Sequence, residues 1–517
     1  MKKLTAVSSL FLIILAACGG GDLAISGTTD PLASHPANFS GNIYSRTHST
    51  FSNSIDVYST PLADATISLG TQTINADGMG NFVGTVPTVV LASDTVNITK
   101  SGYIPINIAR SLIDSASTNI GLYSTSSVNS RPGFIGGVFT MDAGGYLNMI
   151  YKRNLFNSTY DRIKTQTGAN LVASSDPVWV ESYDVQAGTV SMSSTSQIPM
   201  MTRQQYTTLV GLAHSQNMQY MMQLGVYPAG SLQMPWTVPA NNTVFWTAWF
   251  AAYKEIVIQY AQIATDLNIE YISLGMNHGF MSALPVSYWS DLVISVRNTG
   301  YTGKIVYQAM MKPGVWSETD GFNTAATGNL TTRQKNLQFV KLFDYIVLDI
   351  YNIVGNADSN TSAPRSDMRK SFATMLHSFT DYPVPLMVQI GTPSIRGGSV
   401  ITDYVEPCIV CVSIAPTKTM DLMEQADVYQ TIGEVINATP TGNGNVMGLI
   451  SWGYWFTDNF RTNVTRKSTG INSDGTLVDS TVAIGNQNLI SAYDKSASIR
   501  GKPAESVFGW WINKFAQ

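Results

Sequence analysis

The chain has 517 residues, of which only 12% are charged, against a usual share of about 25%, and its net charge is −4. No basic run stands out, which excludes an electrostatic grip on nucleic acid or on a membrane surface as the basis of function. The length allows more than one domain with large cores, and uncharged polar side chains with 24 Tyr and 10 Trp are compatible with neutral sugars as partners.

The first elements are those of an exported chain. Lys2 and Lys3 precede an apolar run at residues 10–15, too short to span a bilayer as a helix, so residues 1–17 are expected to be a signal peptide. The run closes in Leu15-Ala16-Ala17-Cys18, which resembles the lipobox of bacterial lipoproteins. The resemblance implies a lipid on Cys18, membrane attachment through that lipid, and a place in the cell envelope. Gly19 after the cysteine, by likeness to lipoprotein sorting rules, leans toward the outer membrane. Residues 18–37, rich in Gly, Ser, Thr and Pro, are expected to be a tether. The other two cysteines are Cys408 and Cys411. A Cys-x-x-Cys pair suits redox or half-zinc chemistry, but with no second pair and no histidine nearby, a small loop disulfide is the preferred reading in an oxidising compartment.

Residues 38–126 show short alternating runs and turns. Ala65-Thr66-Ile67-Ser68-Leu69 and Thr73-Ile74-Asn75 lead to the turn Asp77-Gly78-Met79-Gly80 and then Asn81-Phe82-Val83, and Val96-Asn97-Ile98-Thr99 ends in Lys100-Ser101-Gly102-Tyr103. This spacing predicts a small β-sandwich. The pattern resembles the carboxypeptidase-regulatory-like domain of surface proteins, which implies a spacer without chemistry.

From residue 131 to 517 the rhythm becomes strand–helix alternation. Strands are expected at 134–139, 169–173, 220–224, 271–275, 304–308, 345–349, 386–390 and 447–452. Helices are expected between them, as at 204–214, 246–267, 288–298, 371–379 and 420–436. Eight such units predict an α/β fold, a (β/α)8 TIM barrel; a doubly wound sheet is the alternative, but no Gly-rich phosphate loop follows any strand. Function in such a barrel sits at the C-terminal strand ends.

Several segments, in order, resemble the glycoside hydrolase 113 type of β-mannanase barrel: Trp246-x-x-Trp249-Phe250-x-x-Tyr253, Tyr271-Ile272-Ser273-Leu274-Gly275, Trp289-x-x-Leu292, Phe343-Asp344-Tyr345-Ile346-Val347-Leu348-Asp349-Ile350-Tyr351, Gln389-Ile390-Gly391, Gly448-Leu449-Ile450-Ser451-Trp452 and Gly501-Lys502-Pro503-Ala504-Glu505. The wider clan of retaining glycosidases places an acid/base glutamate at the end of strand four and a nucleophilic glutamate at the end of strand seven, since one group must protonate the leaving oxygen while the other attacks the anomeric carbon. The matching positions here are Asn277 and Gln389. An amide hydrogen-bonds sugar hydroxyls but supplies neither an acidic proton nor a nucleophile, so ordinary retaining hydrolysis is not expected. Asp349 and Asp142 are the candidate substitutes, with Asp176, Glu181 and Asp458 as further strand-end carboxylates. Asp349 is also read as a structural or sugar-binding carboxylate.

The candidate sugar-binding set is Asn277, His278, Asp349, Tyr351, Gln389, Trp452, Tyr227 and Trp316, the aromatic rings offering apolar faces to sugar rings. Trp246 and Trp249 are expected to pack in the core. No metal spacing is found and no cofactor is expected. The insertion at 392–417, carrying Cys408 and Cys411, falls on the cleft face, where a lid is one reading. Three functions remain open: a barrel that binds polysaccharide without hydrolysing it, an active β-mannanase-like glycosidase using displaced carboxylates, and a structural or adhesive surface protein.

Overall fold

A computed structural model describes residues 21–25, 37–46, 60–86, 95–113, 118–140, 159–194, 201–229, 232–235, 237–276, 284–310, 337–350, 365–380, 382–399, 420–440, 445–454, 464–471, 477–483 and 497–517. Strand β1 (Gly21–Ile25) pairs antiparallel with Val464–Ile471, which pairs with Leu477–Ala483.

Two four-stranded sheets follow. They are built from β2 (Ala37–Ser45), β3 (Thr60–Pro61), β4 (Thr66–Leu69), β5 (Gln72–Asn75), β6 (Asn81–Val86), β7 (Thr95–Thr99), β8 (Ile106–Ala109) and β9 (Thr118–Leu122). One sheet joins β3, β6 and β9 to β2; the other runs β5-β4-β7-β8. Alternation buries Ile67 and Leu69 of β4, Val96 and Ile98 of β7, and Phe39 and Ile43 of β2. The turn before β6 forms where the sequence places it. The Asp77 carboxylate accepts from the Met79 and Asn81 N–H groups, each at 2.8 Å. Gly80 has φ 75°, and a Cβ there would stand 2.2 Å from the Ile43 carbonyl oxygen, so only glycine fits.

All eight strands expected of a barrel are present, as β10 (Ile135–Thr140), β11 (Leu171–Asp184), β13 (Gln219–Pro228), β14 (Tyr271–Met276), β15 (Lys304–Met310), β16 (Tyr345–Ile350), β17 (Leu386–Ile390) and β18 (Val446–Trp452), with β12 (Thr189–Ser193) attached to β11. Each pairs in parallel with its neighbour, and β10 pairs with both β18 and β11, which closes the ring. Their sequences are nearly continuous apolar runs because both faces are covered. In β17 all five residues are buried.

The α-helices are α1 (Arg110–Ile113), α2 (Arg203–Ser215), α3 (Thr243–Leu267), α4 (Val286–Asn298), α5 (Arg365–His377), α6 (Leu422–Ala438) and α7 (Pro503–Ala516), and a π-helix spans Ile163–Thr167. Local chemistry fixes their starts. Thr202 and Gln205 form a reciprocal capping box on α2, and the Asp421 carboxylate accepts from Met423 and Glu424 N–H groups on α6. Trp246 and Trp249 of α3 are fully buried against the barrel, as their helical spacing implied.

The second barrel strand is longer than the sequence suggested. It overshoots the ring, pairs with β13 as far as Val180↔Pro228, and folds back on β12. Asp184 fixes that turn by accepting from the Gln186 and Ala187 N–H groups. Asp176 and Glu181 therefore lie within β11 and not beyond it.

The small β domain is joined to the barrel through polar contacts with α6 and α7. Arg46 forks onto Asp427 at 2.7 and 2.5 Å, and the Tyr123 hydroxyl donates to the same carboxylate at 2.7 Å. Arg365 lies over the Tyr123 ring and donates to Glu434 at 2.8 Å. The Ala109 N–H donates to the Gly501 carbonyl and the Asn107 N–H to the Ser506 hydroxyl. No helix of the described residues is long and apolar enough to cross a membrane.

Candidate functional site

The barrel interior is layered. Its apolar part is filled by Ile135, Leu171, Met221, Tyr271, Val306, Val347, Met387 and Ile450, inward-facing residues of all eight strands. Toward the C-terminal ends the filling becomes polar on one side. Ser273, Gln308, Asp349, Gln389 and Gln223 are each buried and linked in a chain. The Ser273 hydroxyl donates to Gln308 Oε1 at 3.4 Å, and Gln308 Nε2 donates to Asp349 Oδ2 at 2.7 Å. Gln389 Nε2 donates to Asp349 Oδ1 at 3.2 Å, and Gln223 Nε2 donates to Gln389 Oε1 at 3.1 Å. Five consecutive strands of the ring, β13 to β17, thus contribute one side chain each. Strand register places Asp349 directly beside Gln389.

The adjoining wall is aromatic. Trp452 at the end of β18 stacks on Phe139 near the end of β10, with ring centroids 5.7 Å apart and planes 11° from parallel. Trp452 is 6% exposed and packs with Ala497 in the interior cluster. A floor with hydrogen-bonding groups on one side and flat apolar rings on the other is chemically suited to a sugar, which has hydroxyls at its edge and C–H groups on its faces.

Of the site residues expected from sequence, the structure brings Gln389 and Asp349 together and sets Trp452 on β18, the strand next to that of Gln389. Tyr227 stands on the overshoot of β13, tilted against Trp179 of β11 at 5.8 Å. Asn277, His278, Tyr351, Trp316, Asp142 and Asp458 lie outside the described residues, as do Cys18, Cys408 and Cys411. The approach to Asn277 is nonetheless distinctive. Between Gln223↔Ser273 and Gly225↔Met276, strand β14 carries one residue more than β13, a bulge that breaks the inward–outward alternation just before Asn277. Gly275 sits in it with φ 88°, and a Cβ there would lie 2.1 Å from the Tyr307 ring. An inference from strict strand parity therefore does not reach past Leu274.

Asp176 faces the helical layer. It accepts from the Met201 N–H at 3.2 Å and from the Tyr206 hydroxyl of α2, and burial pushes its carboxyl up to about 7. Glu181 sits at the point where β11 slips register against β12. The segment after β17 is tied down by α6: the Glu424 carboxylate accepts from the Gly397 and Ser399 N–H groups and from the Ser399 hydroxyl. Among the described residues no group of three His, Cys, Asp or Glu side chains comes together as a metal site.

Sequence reasoning passed over Gln223, Gln308 and Ser273. The signal was available. Each interrupts an otherwise apolar strand (Tyr220-Met221-Met222-Gln223-Leu224, Ile305-Val306-Tyr307-Gln308, Tyr271-Ile272-Ser273-Leu274), and buried polar residues require partners.

Residues 230–453 match the family model of Glycoside Hydrolase Family 113. Among solved structures, the chain is similar to a GH113 β-1,4-mannanase, with 16% identity and a TM-score of 0.47 over 74% of this chain and 99% of that one. It is similar to the GH113 β-mannanase AaManA from Alicyclobacillus acidocaldarius, with 16% identity and a TM-score of 0.48 over 75% of this chain and 99% of that one. It is also similar to an endo-1,4-β-mannanase from Rhizomucor miehei, with 10% identity and a TM-score of 0.36 over 63% and 90% of the two chains. No curated protein matches the sequence.

Proposed function

We propose that this glycosidase-type barrel binds polysaccharide at the C-terminal face of its strands without hydrolysing it. The observation that carries the reading is Gln389. At the strand-seven position where the resemblance calls for a nucleophile, a fully buried amide is held by hydrogen bonds on both ends, to Asp349 and from Gln223. Its nitrogen is turned to a carboxylate, so it can only orient, not attack. Asp349 accepts from two amides and is 1% exposed, which suits an orienting group and not a base that must reach a water or a sugar. The family match over residues 230–453 and the polar and aromatic walls support a carbohydrate as the occupant. In this reading Cys18 carries lipid and holds the protein at the cell envelope, with the barrel presented to glycan; loss of membrane association in Cys18→Ser tests that part.

The test is binding and reducing-end release measured together, with the purified full chain and β-mannan, β-glucan and xylan. Saturable binding without turnover is expected. Turnover that survives Gln389→Ala overturns the reading in favour of other carboxylates. Absence of both binding and turnover favours a structural surface role.

A further inference from the structure

The first turns of α6 are held from two sides at once. On the outer side the Asp427 carboxylate, 1% exposed, takes both prongs of the Arg46 guanidinium at 2.7 and 2.5 Å and the Tyr123 hydroxyl at 2.7 Å, all from the small β domain. Gln425 and Tyr429 stand two residues to either side of Asp427, about 200° around the helix, and point to the C-terminal ends of the barrel strands. Gln425 Nε2 donates to the Thr392 carbonyl at 2.9 Å and to the Ala497 carbonyl at 3.1 Å. The Tyr429 hydroxyl donates to the Ile390 carbonyl at 3.2 Å and so accepts from the Ser451 hydroxyl at 2.7 Å. Ile390 directly follows Gln389, Ser451 directly precedes Trp452, and Ala497 packs with Trp452. Between these two sides Glu424 accepts from the Gly397 and Ser399 N–H groups, each at 2.8 Å, and the Asp421 N–H donates to the Ser394 carbonyl at 2.9 Å. One short stretch of helix therefore carries both the grip of the β domain and the support of the segment after β17 and of Trp452. The domain also reaches that support directly, since the Ala109 N–H donates to the Gly501 carbonyl at 2.7 Å, shortly after Ala497.

We infer that Arg46 is a positioning residue for the cleft: its grip on Asp427 fixes the seat of α6, and α6 in turn fixes the segment 390–399 and Trp452. The small β domain is then a working part of the binding face. A close-packed interior yields little and passes a displacement on. Without Arg46, Asp427 is a buried carboxylate short of donors, and the outward shift of α6 that lets water reach it draws Gln425, Tyr429 and Glu424 off their partners together. The effect on affinity rests on the carbohydrate reading above; the ordering of residues 390–399 does not.

The experiment runs hydrogen exchange by mass spectrometry and calorimetric titration with mannan, glucan and xylan oligosaccharides on the full chain, unaltered and as Arg46→Met and Asp77→Ala. Asp77→Ala loosens the turn before β6, in the same domain but away from the seam. Arg46→Met is expected to speed exchange at residues 390–399 and 451–454 about tenfold, the scale of one lost hydrogen bond to a charged group, and to weaken glycan binding by a similar factor. Strand β13, on the far side of the ring, is expected to exchange as before, and Asp77→Ala to match the unaltered chain in both readouts. If circular dichroism shows Arg46→Met unfolded, Tyr123→Phe takes one donor from Asp427 and carries the test, with the same pattern at about threefold. Exchange at 390–399 that is unchanged in the folded variant, a rise of equal size in β13, the same response in Asp77→Ala, or glycan affinity that survives faster exchange each overturns the inference and leaves the carbohydrate reading standing. If the unaltered chain binds no glycan, the carbohydrate reading falls and the exchange pattern alone decides whether Arg46 positions the segment.

Discussion

Removing Arg46 should loosen the small β domain from the barrel. Its guanidinium makes a two-pronged contact with Asp427 of α6, and the two side chains are 12% and 2% exposed, so water screens the pair weakly. In Arg46→Met the aliphatic part of the side chain is largely kept and the charge is lost. Asp427 then retains the Tyr123 hydroxyl at 2.7 Å and Arg365 at 3.9 Å, a poorer set for a buried carboxylate. Breaking a buried pair by removing one partner costs about 3–5 kcal/mol. The slight exposure of Arg46 and the survival of Arg365 argue for the lower end, about 3 kcal/mol. At roughly 2–4 °C per kcal/mol for domains of 150–250 residues, the melting transition that includes the β domain should fall by about 6–12 °C. Scanning calorimetry with a double-mutant cycle through Asp427→Asn measures this. The double variant should lose less than the two single variants added together, because it no longer buries an unpaired charge. A shift under 2 °C in Arg46→Met, with no coupling to Asp427, would falsify the view that this seam is a fixed joint and would favour a loosely attached domain.

Three further outcomes follow from the same geometry. Asp176, whose carboxyl burial raises to about 7, stays protonated in the folded chain while the unfolded chain ionises, so stability is fully present below about pH 4 and is lost as pH rises to about 7. Asp176→Asn should remove this slope, of at most about 1.4 kcal/mol per pH unit, so that the variant gains on the unaltered chain between pH 4 and 7 and the gap stays constant above; parallel urea midpoints across that range would refute it. Gly275→Ala introduces a Cβ 2.1 Å from the Tyr307 ring at φ 88°, and should cost at least about 1–3 kcal/mol and weaken glycan binding by displacing the segment that leads into Asn277, as read by thermal melting and calorimetry. Arg131→Met removes donors to Asn445 Oδ1 and to the Ile436, Thr439 and Val446 carbonyls at the foot of the barrel, far along the strands from the polar floor; it should lower stability by about 1–3 kcal/mol for each acceptor left buried and unsatisfied, while leaving glycan affinity unchanged in the folded protein.

The strands were legible because a closed parallel barrel buries both faces of each strand, which leaves apolar runs of fixed length between amphipathic helices. All eight were found where those runs stand. Strand two was undersized because only its first half obeys that rule. β11 pairs with β12 from Trp179 onward and has left β13 after Val180, so Ser182 and Asp184 sit in a strand that the composition of the run does not announce. The turn at residues 77–80 was legible for a different reason: Asp and Gly there each do one thing, accept N–H groups and take a positive φ, and no distant contact is needed to read it.

The site was legible where the family resemblance sets an expectation. Gln389 draws attention because a glutamate is expected at its place, and Trp452 because an aromatic is. Gln223 and Gln308 raise no such expectation, since one glutamine in an apolar strand looks like an isolated defect until the strands are set side by side. What joins them is the ring: residues separated by 166 positions, Gln223 and Gln389, hydrogen-bond because closing the barrel turns their strands inward at the same height. Asp349 lies at the centre of this hydrogen-bonded chain, receiving the amide nitrogens of Gln308 and Gln389 from the strands on either side. A glycosidase floor needs an ionisable pair at this height. Here the same height holds one carboxyl group, Asp349, among amides, and the proposed binding without hydrolysis rests on that arrangement.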